Sequence, residues 1–196
     1  LVNVFPLVIP EMDKKLIRSW EEAGFNTGKL NSAENFPRIA FGDWVGGDRD
    51  GHPFVTAEIT AYTLSQFRLN ALIIIKNKLS DLSERLSFYS DSGSVPEILQ
   101  KRINEIRFEM GDCTLPITER YHNEIFRQFV HLMIAKLPFE STSEHGVILK
   151  EKEGNYIHSG NLIGDLNILI EALVEYGASK IAWEDVRDMV RTVQTF

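Results

Sequence analysis

Cysteine is almost absent from this sequence, and its scarcity limits the chemistry that the chain can carry. The 196 residues include a single cysteine, Cys113, so an internal disulfide framework and a zinc site of several cysteines are both excluded. A lone thiol is typical of a reducing compartment, and we expect a cytoplasmic protein. Because no motif surrounds Cys113, we interpret it as a semi-buried small side chain rather than a nucleophile.

Long apolar runs are missing as well. The apolar cluster at residues 72–75 is far shorter than the roughly 18 residues that a membrane-spanning helix needs. Residues 1–10 are largely apolar, but they lack the basic start and the small-residue cleavage site of a signal peptide. We therefore expect no membrane partner.

Positive charge is also in short supply. Lysine and arginine total 21 against 28 aspartates and glutamates, which gives a formal net charge of −7. The basic residues are scattered rather than grouped in a patch, so a nucleic-acid partner is not expected. With 43% hydrophobic residues, a chain of this length can bury a substantial core, and disorder over its whole length is excluded.

What the sequence does contain is helical periodicity, which predicts a mainly α fold. In the longest pattern, apolar residues recur at spacings of three and four along one helix face: Leu72, Ile75, Leu79, Leu82 and Leu86. Similar patterns predict helices at about 12–25, 57–89, 95–110, 118–137, 159–176 and 180–196. We expect one short strand at 38–45 and an irregular loop at 138–154.

Residues 41–56 have the composition of a functional loop. They read FGDWVGGDRDGHPFVT, in which the glycines allow a close approach to the backbone and Trp44 supplies a rigid apolar wall. Asp48 and Asp50 flank Arg49 and can hold its guanidinium in a fixed pose. Such a set suits a small anionic substrate, but it also suits a purely structural turn braced by the same ion pairs.

A calcium loop is a third interpretation of this segment. Asp48, Asp50 and Gly51 resemble part of such a site. The full pattern needs a further Asx residue before the glycine and a glutamate at the twelfth position, where this sequence has Ile59.

The same segment resembles the F-x-x-W-M-G-G-D-R-D-G-N-P-x-V-T motif of phosphoenolpyruvate carboxylases, most specifically that of the bacterial type. Weaker resemblances follow in order: residues 124–127 to the family's E-P-Y-R helix, residues 165–182 to its D-L-x-x-L and I-A region, and residues 187–196 to the stretch before F-G-F-H-L. Three positions depart from the motif: Asp43 replaces a small residue, Val45 replaces methionine and His52 replaces asparagine.

The resemblance implies a fold and an activity. This family joins bicarbonate to phosphoenolpyruvate, giving oxaloacetate and phosphate with the help of Mg²⁺ or Mn²⁺, as a homotetramer. Its fold is an α/β-barrel among many helices, of which this chain would be a helical segment with one or two short strands. Trp44, Gly46, Gly47 and Arg49 would be the substrate-binding residues.

Within the loop, the resemblance implies that Trp44 lines the pocket that shelters carbon dioxide. Asp48, Asp50 and Gly51 would support the loop and hold Arg49 at the edge of the site. The family's T-A-H-P-T histidine motif, its G-R-G-G loop and its acidic metal ligands are all absent, and His52 is not the catalytic histidine. We therefore expect no catalytic residue and no metal ligand in residues 1–196.

These observations lead to one hypothesis and two alternatives. We expect a single carboxylase segment over residues 1–196, truncated at both ends and inactive alone. The leucine stripes also fit a non-catalytic helical module for interaction or oligomerisation, which would have no need of residues 46–53. A small independent phosphate-binding enzyme would need a general base and a metal site that we cannot assemble from this sequence.

Overall fold

The computed structural model describes residues 4–41, 45–48, 51, 54–90, 94–142 and 146–196, and over these it is mainly helical. The helices are α1 (Phe5–Glu22), α2 (Ala57–Arg85), α3 (Glu97–Met110), α4 (Leu115–Arg120), α5 (Ile125–Ala135), α6 (Ser159–Tyr176), α7 (Ser179–Ile181) and α8 (Arg187–Thr195). Short 3-10 turns lie at Thr27–Leu30, Ala33–Asn35 and Gly111–Thr114, and a π-helical turn at Ala182–Val186 joins α7 to α8.

The longest helix, α2, begins at the residue that the sequence predicts. Thr56 caps it, because its hydroxyl accepts a hydrogen bond from the backbone N–H of Ile59 at 3.3 Å. Glu58 lies in the first turn, where a negative charge complements the helix dipole. All the buried residues of α2 lie in its second half, at Ile74, Ile75, Leu79, Leu82 and Ser83.

The core lies where the second half of α2 packs along α5, with α3, α6 and α8 around the pair. Its fully buried side chains include Leu79, Leu99, Phe126, Phe129, Leu132, Leu166, Leu169 and Leu173. These residues recur at helical spacing within each helix, so each helix turns one apolar stripe inward. Gly177 adopts a positive φ of 92° and ends α6, as its position after the last periodic residue predicts.

Two buried polar connections tie the helices together. Asp13 on α1 receives two hydrogen bonds from the guanidinium of Arg191 on α8, at 2.8 and 3.3 Å. Asp165 on α6 accepts from Arg102 on α3 at 2.6 Å and from the Tyr156 hydroxyl at 2.6 Å. Burial and the neighbouring Asp165 carboxylate raise the pKa of Tyr156 well above its ordinary value.

The strands lie where we predicted a loop. β1 (Phe139–Thr142) and β2 (Gly146–Leu149) form an antiparallel pair in which Phe139 opposes Leu149 and Thr142 opposes Gly146. The strand predicted at 38–45 is wrong over its described part, since 38–41 are not a strand and Val45 is in a turn. An extended segment becomes a strand only when a neighbour pairs with it, and among the described residues such pairing occurs only between β1 and β2.

Three smaller expectations need correction. The helix predicted at 118–137 is divided into α4 and α5 by a turn at 121–124. The predicted helix from 180 to 196 contains the π-helical turn. Cys113 is exposed rather than semi-buried, with its thiol donating to the Met110 carbonyl at 3.1 Å, because it lies in the 3-10 turn after α3. Over the described residues, no helix combines the length and apolar character needed to cross a membrane.

Candidate functional site

The candidate site is the glycine loop, residues 46–51, which lies just before α2. Residues 45–47 form a turn, and the chain enters α2 through Phe54 and the cap residue Thr56. The structure describes Gly46, Gly47, Asp48 and Gly51. The other predicted site residues, Trp44, Arg49 and Asp50, lie outside the described residues, as does His52.

Gly46 occupies a position that only glycine fits. Its φ is +72°, a left-handed conformation that side chains disfavour. A Cβ built on Gly46 would lie 2.5 Å from the Oγ1 of Thr63 and 2.9 Å from the Cβ of Thr63. The glycine therefore lets the loop lie directly against α2.

A hydrogen bond from α2 holds the loop in that place. The hydroxyl of Thr60 donates to the carbonyl of Gly46 at 2.7 Å across 14 residues of sequence. Thr63 binds the Ile59 carbonyl of its own helix at 2.8 Å, which fixes the side chain that faces Gly46. Two threonines of α2 thus position the first glycine of the loop.

The second half of the loop is braced from within. The backbone N–H of Gly51 donates to Oδ1 of Asp48 at 3.2 Å. A Cβ on Gly51 would lie 2.4 Å from the other carboxylate oxygen of Asp48, so a side chain at this position would displace that carboxylate. The loop-supporting role predicted for Asp48 and Gly51 requires a contact of this kind between them. The substrate-binding role predicted for Gly46 and Gly47 stays a prediction.

The part of α2 that carries the loop projects from the core. We call residues 57–69 the α2 arm; at 1.5 Å per residue it is about 20 Å long, and no residue of it is buried. Its large apolar side chains, Ile59, Tyr62, Leu64 and Phe67, are between 42% and 66% exposed. They fall on several sides of the helix, a distribution typical of helices buried inside a larger protein.

The loop and the α2 arm together form a surface of exposed backbone, threonine hydroxyls and apolar side chains. Val45 and Phe54, at the two ends of the loop, are 69% and 73% exposed. Among the described residues, no group of three or more His, Cys, Asp and Glu side chains could hold a metal ion. Exposed glycine backbone of this kind can contribute to binding a small anion.

Thr60 and Thr63 are the site residues that the sequence interpretation missed. Thr56, Thr60 and Thr63 are spaced at i, i+4 and i+7, which places them on one side of a helix that begins at Thr56. That spacing, directly after a glycine-rich loop, was an available signal that the first turns of α2 contact the loop. It does not show which of the threonines reaches the loop backbone.

Comparisons with known proteins agree on one family. The family model described as Phosphoenolpyruvate carboxylase matches residues 1–196. The chain is 30% identical over 195 residues to the phosphoenolpyruvate carboxylase of Methylorubrum extorquens, covering 100% of this chain and 21% of that protein. It is 28% identical over 197 residues to that of Xanthomonas euvesicatoria, covering 100% and 20%.

A shorter and closer match is to the phosphoenolpyruvate carboxylase of Actinobacillus pleuropneumoniae, 46% identical over 63 residues, which cover 32% of this chain and 7% of that protein. The chain thus spans about a fifth of the length of the curated relatives that it matches along its whole length. No solved structure matches it.

Proposed function

The chain belongs to the phosphoenolpyruvate carboxylase family, and we propose from this that it is one segment of an enzyme that joins bicarbonate to phosphoenolpyruvate. The products are oxaloacetate and phosphate, which makes the enzyme a carbon–carbon lyase of carbon dioxide fixation that supplies the tricarboxylic acid cycle. The observation that carries the proposal is the glycine loop: a motif of rare residues in a chain that matches the family from end to end.

The loop contributes a wall of the active site. Bicarbonate attacks the phosphorus of phosphoenolpyruvate, and the enolate leaves; the carboxyphosphate then divides into phosphate and carbon dioxide, which the enolate carbon captures. Trp44 shelters carbon dioxide from water, and the backbone of Gly46 and Gly47 lies close to substrate. Arg49 borders the site, held by Asp48 and Asp50.

The remaining machinery lies outside residues 1–196. The catalytic histidine motif and the phosphate-binding glycine–arginine loop are absent from this sequence. Mg²⁺ or Mn²⁺ stabilises negative charge on the phosphate and enolate when it is bound, and its ligands belong to the longer enzyme. The chain alone is therefore inactive, a single segment of a protein about five times its length, as the coverage of its relatives supports.

The exposed apolar surface of the α2 arm supports the proposal that other parts of the whole enzyme cover this segment. An arm about 20 Å long with apolar side chains on several sides leaves a substantial apolar surface in water. The rest of the carboxylase chain covers this surface, and the complete enzyme is a cytoplasmic homo-oligomer, a tetramer as in the family.

The exposed α2 arm also favours a second candidate function, a non-catalytic helical module that associates through this face. Residues 46–51 separate the two candidates, because an associating module has no need of a glycine loop clamped on its helix. An oxaloacetate-forming assay decides between them.

The test uses the longer enzyme, of which this chain is a segment, with phosphoenolpyruvate, bicarbonate and Mg²⁺. Oxaloacetate is followed by its reduction with malate dehydrogenase and NADH. We expect activity in the longer enzyme, and we expect Trp44→Ala to remove most of it. The matched control is Trp20→Ala, which changes an indole that donates to the Asn26 carbonyl, far from the loop in sequence. Equal losses in the two variants would contradict a role for Trp44 in the site.

A further inference from the structure

Two carbonyl oxygens lie within hydrogen-bond distance of the Thr60 hydroxyl, and the nearer one belongs to the loop rather than to the helix. A threonine inside a helix ordinarily donates to the carbonyl four residues earlier. Thr60 lies 3.2 Å from that carbonyl, on Thr56, but only 2.7 Å from the carbonyl of Gly46 in the loop. The hydroxyl has one proton, so its principal bond is to the loop.

This bond orients more than one atom of the loop. The peptide group between Gly46 and Gly47 is planar and trans, so its C=O and N–H point in opposite directions. Because the Gly46 carbonyl is directed at Thr60 on α2, the N–H of Gly47 is directed away from α2. Gly47 is exposed and has no side chain, so a substrate oxygen can approach that N–H closely.

We infer that Thr60 is a positioning residue of the carboxylase site: it fixes the Gly46–Gly47 peptide so that the Gly47 N–H faces substrate and the glycine loop stays in place against α2. The inference rests on the proposed function and adds to it a residue that lies outside the glycine-rich motif. Thr60 itself does not touch the reacting atoms, since its hydroxyl is used by the loop backbone.

The reaction chemistry supplies a readout for positioning. After carboxyphosphate divides, the enolate either captures carbon dioxide, giving oxaloacetate, or takes a proton from water, giving pyruvate when carbon dioxide has escaped. Phosphate is released once in both outcomes, so the ratio of pyruvate to oxaloacetate measures escape. A glycine loop displaced from α2 raises this ratio, whereas a general loss of folded enzyme lowers both products together.

The experiment compares Thr60→Val with Thr60→Ser in the longer enzyme. Valine keeps the shape and removes the donor, and serine keeps the donor. We expect Thr60→Val to lower kcat/KM by about fivefold, the factor for the loss of one ordinary hydrogen bond, and to raise the pyruvate share. Thr60→Ser should stay close to the unsubstituted enzyme in both.

The control is Ser65→Ala on the same helix. The Ser65 hydroxyl donates to the Ala61 carbonyl of α2 at 3.0 Å, and so its removal tests the loss of a helix hydroxyl alone. We expect no change in the product ratio. An unchanged ratio in Thr60→Val, or equal effects of valine and serine, would overturn the positioning role.

A second measurement keeps this inference separate from the proposed function. Hydrogen exchange of the Gly51 amide, which is bonded to Asp48 within the loop, needs no activity, and it should be about fivefold faster in Thr60→Val than in Thr60→Ser. Unchanged exchange overturns the role of Thr60 whether or not the enzyme makes oxaloacetate. Faster exchange in a protein that forms no oxaloacetate supports the bond from Thr60 to the loop and contradicts the proposed function instead.

Discussion

The buried pair of Asp13 and Arg191 offers a sharp test of how the two ends of this chain are held together. Their side chains are only 6% and 3% exposed, and they join α1 to α8 across 178 residues of sequence. Arg191 also donates to the Pro37 carbonyl at 3.0 Å and lies over the ring of Phe36, 5.3 Å from its centroid. The pair therefore anchors α1 and the segment that follows it.

Asp13→Asn keeps the shape of the side chain and removes its charge. The guanidinium of Arg191 then stays buried without its counter-charge, and breaking a buried pair in this way costs about 3–5 kcal/mol. Since asparagine still offers one carbonyl oxygen, we expect the lower end, about 3 kcal/mol. With a urea slope of about 2–3 kcal/mol per molar, the unfolding midpoint should fall by about 1–1.5 M.

The assay is urea unfolding at 25 °C, followed by far-ultraviolet circular dichroism. The control is Glu22→Gln, which breaks the exposed pair of Glu22 with Arg18 and should cost less than about 1 kcal/mol. Replacing both buried partners, Asp13→Leu with Arg191→Met, should recover most of the loss, because no charge is then left buried. If Asp13→Asn costs no more than Glu22→Gln, the reasoning about this anchor is refuted.

Two further predictions concern the Tyr156 hydroxyl and the glycine of the loop. The folded-state pKa of Tyr156 is raised above its ordinary value of 10.0, so the contribution of the tyrosine to folding stability is complete below pH 10 and falls as the pH rises further. Urea midpoints measured from pH 9 to 11 should therefore fall less steeply in Tyr156→Phe than in the unsubstituted chain. Gly46→Ala should cost about 1–3 kcal/mol more than Gly24→Ala in the same unfolding assay, since both positions have positive φ but only Gly46 would bring a Cβ against Thr63; equal costs would contradict the close packing of the loop on α2.

The helices could be predicted from the sequence because their signals are local. The spacing of apolar residues identified the second half of α2, and the start predicted at residue 57 is the one that Thr56 caps, with a hydroxyl that accepts from the N–H three residues later. The π-helical turn at Ala182–Val186 escaped notice because it keeps the same apolar stripe while changing the hydrogen bonds.

The strands were misplaced because strand formation depends on a partner. Residues 38–45 have the aromatic and β-branched composition of a strand, yet residues 38–41 pair with no neighbour among the described residues. Residues 139–149 look like a polar loop, but Val147, Ile148 and Leu149 provide a short strand that returns along Phe139. Pairing of this kind is not visible in composition.

The candidate site was only half predictable for a similar reason. The glycine loop is evident from its rare residues, whereas the bond from Thr60 to Gly46 depends on how the loop returns to its helix. The anchor between Asp13 and Arg191 is more remote still, since nothing in the local sequence pairs two residues at opposite ends of the chain.

The most direct test of the account is to compare this chain with the longer enzyme at equal molar concentration, in the oxaloacetate assay with phosphoenolpyruvate, bicarbonate and Mg²⁺. We predict that oxaloacetate forms with the longer enzyme and that residues 1–196 alone form none, because the catalytic histidine motif is absent from them. Oxaloacetate formation by the 196-residue chain itself, or none by the longer enzyme, would contradict it.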